Sequence, residues 1–587
     1  MRKIMTLALG VTLLAACAPG EVTLKDALEG KFLIGCALNE AQIRELDAKG
    51  DSVFLKHFNA AEPENCLKSC EIMPAWGTYN WELADAYVDF CERHGITCIG
   101  HCLTWHSQCT PDYCYDSEGR LLSADSLKIR MKEYISTVVG RYKGRIKGWD
   151  VVNEAILEDG SYRRSPFWQI LGGEFIPWSF ECAHEADPDC ELYINDYAMH
   201  ESAKLDKYIE IVNDMLSRGL RVDAVGFQGH IGMDYPGLSV YERHLRRVKE
   251  ETGLDVCITE LDMSIQPTLT RSADLGDMSF TDAMKVPEIR DKWMAKMNPW
   301  PDGVPAERVE AWNERFASFW EMFLRNSDII RRVNVWGVCD LDSWKNGWPV
   351  PERQDSPLFV GRDYALKPFL QDFIARKGAP RPLAVALSFD DGPNNTITPQ
   401  VLDLLEQYGI PASFFVIGRN VGDETADVMK RAVSLGCDIE NHSFNHPYMS
   451  RLTESEMISE ISATDSLIVK YVGAEPRFFR PPYIDTNALL HSTVDKTFIC
   501  GYSCHDWDPA VSAEARVDLV MDHIRDGLII LLHDGSGNQP TVEALKTIIP
   551  TLLDRGCRFM TVPGLFEAKG LTPEPHDGIV YSTVINK

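Results

Sequence analysis

The chain is short of positive charge. Lysine and arginine total 59 against 87 aspartates and glutamates, a formal net charge of -28 over 587 residues. That balance excludes the basic face that nucleic acid or an anionic membrane would need, and leaves a neutral or weakly acidic polysaccharide as a compatible partner. Long apolar runs are missing too: after the first seventeen residues no segment is apolar enough to span a bilayer. The 17 cysteines lack any metal-ligand spacing. Cys98, Cys102, Cys257, Cys339 and Cys437 sit in apolar runs, as small buried thiols do. Cys66/Cys70, Cys109/Cys114 and Cys182/Cys190 are near pairs that could oxidise outside the cytoplasm, but most of the cysteines are expected to be free.

What is present divides the chain. Residues 1–16 read as a secretory signal, with Arg2 and Lys3 ahead of the apolar run Leu7 to Leu14 and a small-residue ending at Ala15-Ala16. Leu14-Ala15-Ala16-Cys17 resembles the bacterial lipobox. That resemblance implies lipidation of Cys17 and an extracytoplasmic protein that meets the membrane only through this anchor. Cleavage near Ala16 to release a soluble enzyme is the other reading. The remainder is too long for one ordinary domain.

Eight short apolar runs follow: Phe32–Ala37, Val53–Asn59, Thr97–Trp105, Ile146–Asn153, Leu192–Asp196, Ala224–Gln228, Val256–Glu260 and Val333–Val338. Helix-length stretches such as Trp81–His94 and Ser202–Arg218 separate them. Strands this apolar are covered on their outer face, so residues 25–376 predict an α/β domain, a closed (β/α)8 TIM barrel. In that architecture functional groups stand at the C-terminal strand ends, where His101, Asn153, Glu154, Gln228, His230, Glu260 and Trp336 fall.

The motifs Pro63-Glu64-Asn65 with Lys68, Gly100-His101 with Thr104 to Gln108, Trp149 to Glu154, Tyr193 to Tyr197, Gly226 to His230, Ile258 to Asp262 and Trp336-Gly337 with Asp342-Ser343-Trp344 occur in that order. Together they resemble glycoside hydrolase family 10, the endo-β-1,4-xylanases, departing beside functional positions at Cys66 and Cys102. The resemblance implies Glu154 as acid/base and Glu260 as nucleophile, the pair of carboxyls, about 5 Å apart, that retaining hydrolysis requires. It implies His230 as the partner that keeps Glu260 ionised. Asn153, Lys68, His101, Gln228, Trp336 and Trp344 would contact the reacting sugar and Glu64 and Asn65 the next one, with Trp105 and Tyr197 also read as substrate contacts. No cofactor is implied for this domain. The long stretch Ser264 to Val309, with Trp293 and Trp300, would either extend the leaving-group side of the cleft or be inert.

Residues 377–382 form a short joint, and 383–565 read as a second, smaller β/α barrel followed by a tail, 566–587. Its strand-like runs include Leu383–Phe389, Ala412–Ile417, Phe498–Tyr502, Leu528–Leu532 and Arg558–Val562. Asp390-Asp391-Gly392-Pro393, Asn441-His442 with His446, Arg480-Pro481-Pro482-Tyr483, Asp506-Trp507 and Leu531 with His533 resemble the five motifs of carbohydrate esterase family 4, the polysaccharide deacetylases, whose fold is a distorted, incomplete barrel. The resemblance implies Asp390 as base and His533 as acid, and Asp391, His442 and His446 as ligands of a divalent metal ion such as zinc. It implies that Arg480 orients Asp390, that Asp506 tunes His533 and that the Tyr483 backbone serves as an oxyanion donor, with Trp507 and Leu531 against the substrate. Ile484 stands where glycine usually follows the motif tyrosine, and His505 precedes the fourth-motif aspartate.

The two resemblances converge on acetylated xylan. Acetyl groups sit on the hydroxyls that Asn153, Lys68 and Glu64 would bind, and each buried polar group left unpaired costs about 1–3 kcal/mol. A monomeric bifunctional xylanase and acetylxylan esterase is therefore expected. The alternatives are a xylanase fused to an N-deacetylase of chitin-type oligosaccharides or peptidoglycan, and a non-catalytic surface glycan-binding protein.

Overall fold

A computed structural model describes residues 21–268 and 286–585. The signal segment with Cys17 lies outside the described residues, as does part of the stretch after Ser264. The first half contains β1 (Leu33–Leu38), β2 (Ala60–Pro63), β3 (Thr97–Trp105), β4 (Gly148–Asn153), β5 (Glu191–Asp196), β6 (Ala224–Phe227), the two-residue β7 (His230–Ile231), β8 (Asp255–Met263) and β9 (Ile330–Val335). All pair in parallel, and the β6–β8 and β9–β1 pairings close an eight-stranded ring with β7 laid along the end of β8. The strands are buried on both faces because helices cover the ring, and every residue of β4 is buried.

One expected strand is a helix. Val53–Asn59 falls mostly in the helix Ala48–His57, whose buried Asp51, Phe54 and His57 recur at helical spacing. The Asp47 carboxylate caps it by accepting from the Gly50 backbone N–H at 3.1 Å. The second barrel strand is the following Ala60–Pro63, too short and too small in side chain to stand out in sequence.

The second half contains β10 (Ala384–Asp390), β11 (Ser413–Val416), β12 (Asp438–Asn441), β13 (Phe478–Phe479), β14 (Thr497–Ile499), β15 (Tyr502–Ser503), β16 (Ile529–His533), β17 (Arg558–Met560) and β18 (Val580–Tyr581). They form one parallel sheet in the order β15-β16-β10-β11-β12-β13-β14-β18, with β17 beside β10, and among the described residues no strand-to-strand pairing joins β15 to β18. This is the incomplete barrel expected. The stretch after 565 is not a tail: β18 pairs with β14, Thr583 bridges Leu528, and Val584 is fully buried. The chain end therefore completes the sheet.

The joint between the halves is pinned rather than loose. Arg376 reaches Glu321 at 3.0 Å and Arg381 reaches Glu314 at 2.8 Å. The helix Leu238–Thr252 of the first half packs on Ala513–His523 of the second, and the Asp522 carboxylate accepts from the Ser239 backbone N–H at 2.7 Å. Its N-cap residue, Gly237, offers no side chain, and a Cβ there would meet Asp522 Oδ2 at 2.6 Å. The second half thus caps a helix of the first. Arg555 adds an ion pair to Glu242 at 3.0 Å. The described cysteines are all unbridged, and no helix among the described residues is long and apolar enough to cross a membrane.

Candidate active sites

The first site lies over the C-terminal ends of the barrel strands. β8 delivers Glu260, whose Oε1 accepts from Asn195 Nδ2 at 3.0 Å and whose Oε2 lies 3.4 Å from His230 Nε2. His230 Nδ1 in turn lies 2.9 Å from Asp262 Oδ2. Asp262 is further held by Lys345 at 2.7 Å and Trp344 Nε1 at 2.9 Å. Burial alone would raise both carboxyls. It is outweighed at Asp262 by His230 and Lys345, which hold it down to about 2, and at Glu260 by the His230 hydrogen bond and the charges of His230 and Lys68, which leave it below the usual range. Burial would likewise lower His230, but Asp262 and Glu260 raise it to about 9.

Glu154, just past β4, is driven the opposite way. Burial first, then the charges of Asp196 and Glu260, raise its carboxyl against the hydrogen bond from Gln228 Nε2 at 3.2 Å. Gln228 Nε2 and Asn195 Nδ2 both donate to Asn153 Oδ1, at 3.2 and 3.0 Å. One amide network thus ties the loop of Glu154 to the strand of Glu260. Two neighbouring carboxyls, one proton-retaining and one ionised, make the pairing that acid and nucleophile need.

The other expected residues converge on the same rim. Lys68 Nζ donates to Asn65 Oδ1 at 2.9 Å and to Gln108 Oε1 at 2.7 Å, and lies 5.0 Å from the Trp105 ring centre. Burial raises the carboxyl of Glu64 nearby. His101 is edge-on to Trp336 at 5.2 Å, and Trp344 lies 5.4 Å from His230. Tyr197 accepts at its hydroxyl from Arg163, whose Nε also donates to the Glu154 carbonyl. In the long excursion, Trp293 on the helix Pro287–Met297 is buried rather than presented to solvent. Sequence reasoning left out Asn195, Asp262 and Lys345. The first two stand inside quoted motifs, each two residues from a named position, but their contacts come from other strands and leave no spacing signal.

The second site is built at the end of β10. Asp390 Oδ1 lies 2.6 Å from Arg480 Nη1, and Arg480 Nη2 donates to Ser388 Oγ at 2.8 Å, with the guanidinium over Phe415. Burial would raise Asp390, but the charges of Arg480 and His533 and the Arg480 hydrogen bond hold it below its ordinary value. Asp391 Oδ1 lies 3.7 Å from His442 Nε2 and 3.5 Å from His446 Nε2. His442 Nδ1 is 2.6 Å from the Arg480 carbonyl oxygen, which can only accept, so the Nε2 lone pair is turned toward Asp391. Donors at bond lengths of about 2.0–2.2 Å around a tetrahedral ion lie about 3.3–3.6 Å apart, so the 3.5 and 3.7 Å separations are close to what a bound divalent ion would require.

Across from them, His533 Nδ1 lies 2.7 Å from Asp506 Oδ1, while Asp506 Oδ2 accepts from the His533 backbone N–H at 2.7 Å and from Thr541 Oγ1 at 2.8 Å. Burial works against the His533 proton, yet Asp506, Asp390 and Asp391 raise it to about 9. Tyr483 and Trp507 are 57% and 63% exposed, open to a ligand, whereas Leu531 on β16 is 4% exposed. Tyr483 stacks on Tyr448 at 4.2 Å and meets His446 at 4.7 Å; Tyr448 was not foreseen. Tyr483 and Ile484 have φ of 60° and 55°.

The glycosyl hydrolase family 10 model matches residues 23–375 and the polysaccharide deacetylase model residues 377–498. The endo-1,4-β-xylanase A of Xylanibacter ruminicola is 42% identical over 378 residues, 64% of this chain and 99% of that protein. A bifunctional xylanase/deacetylase of Pseudobutyrivibrio xylanivorans is 45% identical over 189 residues, 32% of this chain and 31% of that one. Among solved structures, a GH10 endoxylanase from a sugarcane soil metagenome superposes with a TM-score of 0.55 at 31% identity, covering 61% of this chain and 99% of its own.

Proposed function

Since the chain belongs to glycosyl hydrolase family 10 and carries a polysaccharide deacetylase domain behind it, we propose that it cuts β-1,4-xylosidic bonds with retention in the first domain and removes O-acetyl groups from xylan in the second. The observation that carries the first activity is the opposite drive on the two carboxyls. Glu154, protonated, gives its proton to the departing glycosidic oxygen as Glu260 attacks the anomeric carbon. Glu154 then takes a proton from water, whose oxygen displaces Glu260 and restores both groups. Asn153 and His101 would hold the sugar hydroxyls, Lys68, Gln228, Glu64 and Asn65 the chain along the cleft, and Trp105, Tyr197, Trp336 and Trp344 its ring faces.

In the second domain Asp391, His442 and His446 would hold a divalent ion such as zinc, which when bound polarises an acetyl carbonyl and favours water ionisation. Asp390, kept ionised by Arg480, takes the proton of the attacking water, and His533, kept protonated by Asp506, gives one to the departing sugar oxygen. The Tyr483 backbone would face the developing oxyanion, with Trp507 and Leu531 beside the substrate. The proposed place of work is extracytoplasmic, with Cys17 as the lipidated residue, on the strength of Arg2, Lys3 and the Leu7 to Cys17 pattern.

Acetate release from acetylated xylan beside N-acetylglucosamine oligomers tests the second substrate. Acetate from xylan alone is expected; acetate from the amino-sugar oligomers alone would overturn the O-acetyl assignment.

A further inference from the structure

Beneath the first site, inside the barrel, β2, β3, β4 and β9 bring together Glu62, His101, Asp150 and Arg332, all of them buried. His101 Nδ1 lies 2.9 Å from Asp150 Oδ2, and Arg332 Nη2 lies 3.5 Å from Asp150 Oδ1 and 3.7 Å from Glu62 Oε2. Asn334 donates to Glu62 Oε2 at 2.6 Å, and the Tyr193 ring lies 4.5 Å from the guanidinium carbon. Glu62 Oε1 and Asp150 Oδ1 are both buried acceptors without a donor, and the two carboxyls lie within hydrogen-bonding reach. A proton on Glu62, shared toward Asp150, satisfies both oxygens.

We propose that Glu62 and Arg332 are positioning residues for the xylanase reaction: together they keep Asp150 ionised, and so keep His101 in the tautomer that presents a bare Nε2 to the sugar. Two carboxyls meet one guanidinium, so the buried box has room for one negative charge. Burial raises both carboxyls, but at Asp150 the Arg332 charge and the Glu62 hydrogen bond work against it, whereas Glu62 is pushed well up by burial and then by Asp150, which marks Glu62 as the proton holder of the pair. Burial lowers His101, so the imidazole is neutral and donates from Nδ1 to Asp150. Were Asp150 protonated, it would donate instead, and His101 would turn an N–H toward the cleft, changing an acceptor of a sugar hydroxyl into a donor. The arrangement of Glu62, His101 and Asp150 would also suit a divalent cation, but Arg332 already supplies that charge. Facing the cluster are Glu260, Glu154 and Lys68 on the cleft side and the thiols of Cys102 and Cys257 within the barrel.

The inference rests on the xylanase reading, so wild-type hydrolysis of xylohexaose is the first control: its absence would remove that reading, whereas its presence makes the variants decisive. Glu62→Leu, which removes the donor toward Asp150, should lower kcat/KM by about tenfold, with recovery in Glu62→Gln, which keeps a neutral donor. Arg332→Met should lower kcat/KM by about ten- to a hundredfold, the range for losing the partner that fixes a histidine's tautomer, with partial recovery in Arg332→Lys. If Arg332→Met does not fold, Asp150→Asn removes the same charge with the shape kept. In either, 15N-histidine NMR should show the His101 signal move from the Nδ1–H to the Nε2–H pattern. A folded Arg332→Met or Asp150→Asn with wild-type kcat/KM and an unchanged tautomer would overturn the proposal, as would a Glu62→Gln as impaired as Arg332→Met.

Discussion

His230 Nδ1 lies 2.9 Å from Asp262 Oδ2, and that contact fixes the state of the nucleophile at the imidazole's other edge. Asp262 raises His230 to about 9, and the resulting cation helps keep Glu260 ionised. Asp262→Asn should therefore move the acid limb of the kcat/KM profile on xylan to higher pH and lower the maximum by about tenfold or more. The same pair affects stability. A histidine raised from 6.5 to about 9 contributes fully below about pH 6.5, and its contribution is lost as pH rises through 9. Asp262, held down to about 2, contributes above about pH 4 and loses its share only as pH falls through 2. Thermal melts across pH 6–10 should show a decline in the wild type that is reduced in Asp262→Asn.

Arg480 is fully buried and bonded to both Asp390 and Ser388. Arg480→Met leaves the Asp390 charge without its partner. Acetate release should fall by about a hundredfold or more while xylan cutting stays at the wild-type rate. The second domain should lose about 3–5 kcal/mol, the usual cost of breaking a buried pair, read by denaturant unfolding.

Ile484 is a β-branched residue at φ 55°, beside Tyr483 at 60°. A side chain branched at Cβ strains that conformation, and glycine does not. Ile484→Gly should be neutral or stabilising by up to about 1 kcal/mol, as measured by thermal unfolding.

Asp522 caps a helix of the other domain, and Glu242 receives Arg555 across the same face. Asp522→Ala should cost about 1 kcal/mol as a lost cap. In Asp522→Ala/Glu242→Ala the two domains should melt as separate calorimetric transitions, and protease should cut the 377–382 joint faster than in the wild type.

Much of this was legible in sequence because strands buried on both faces are apolar to their ends, so a polar residue at the end of such a run is conspicuous. Glu154 and Glu260 stood out in that way, whereas Asp390 and His533 were named through the motif resemblance. Ala60–Pro63 did not, because four small or polar residues carry no period, and the Val53–Asn59 run before it was equally compatible with a helix. The final strand, Val580–Tyr581, is two residues long and owes its place to pairing with β14, a contact 82 residues away in sequence at Phe498↔Val580. Asn195, Asp262 and Arg332 act through partners on other strands, and the helix cap from Asp522 to Ser239 spans 283 residues. Contacts of that range are set by the barrel's closure and by the packing of the two halves, and leave no local pattern.

The central claim is that one chain holds two independent hydrolytic centres for one polymer. It is tested most directly by following reducing ends and free acetate together on acetylated glucuronoxylan, for the metal-loaded wild type and for Glu260→Ala and Asp391→Ala. Glu260→Ala should abolish new reducing ends but still release acetate, and Asp391→Ala should do the reverse. Reducing ends from Glu260→Ala at the wild-type rate, or undiminished acetate from Asp391→Ala, would contradict that claim.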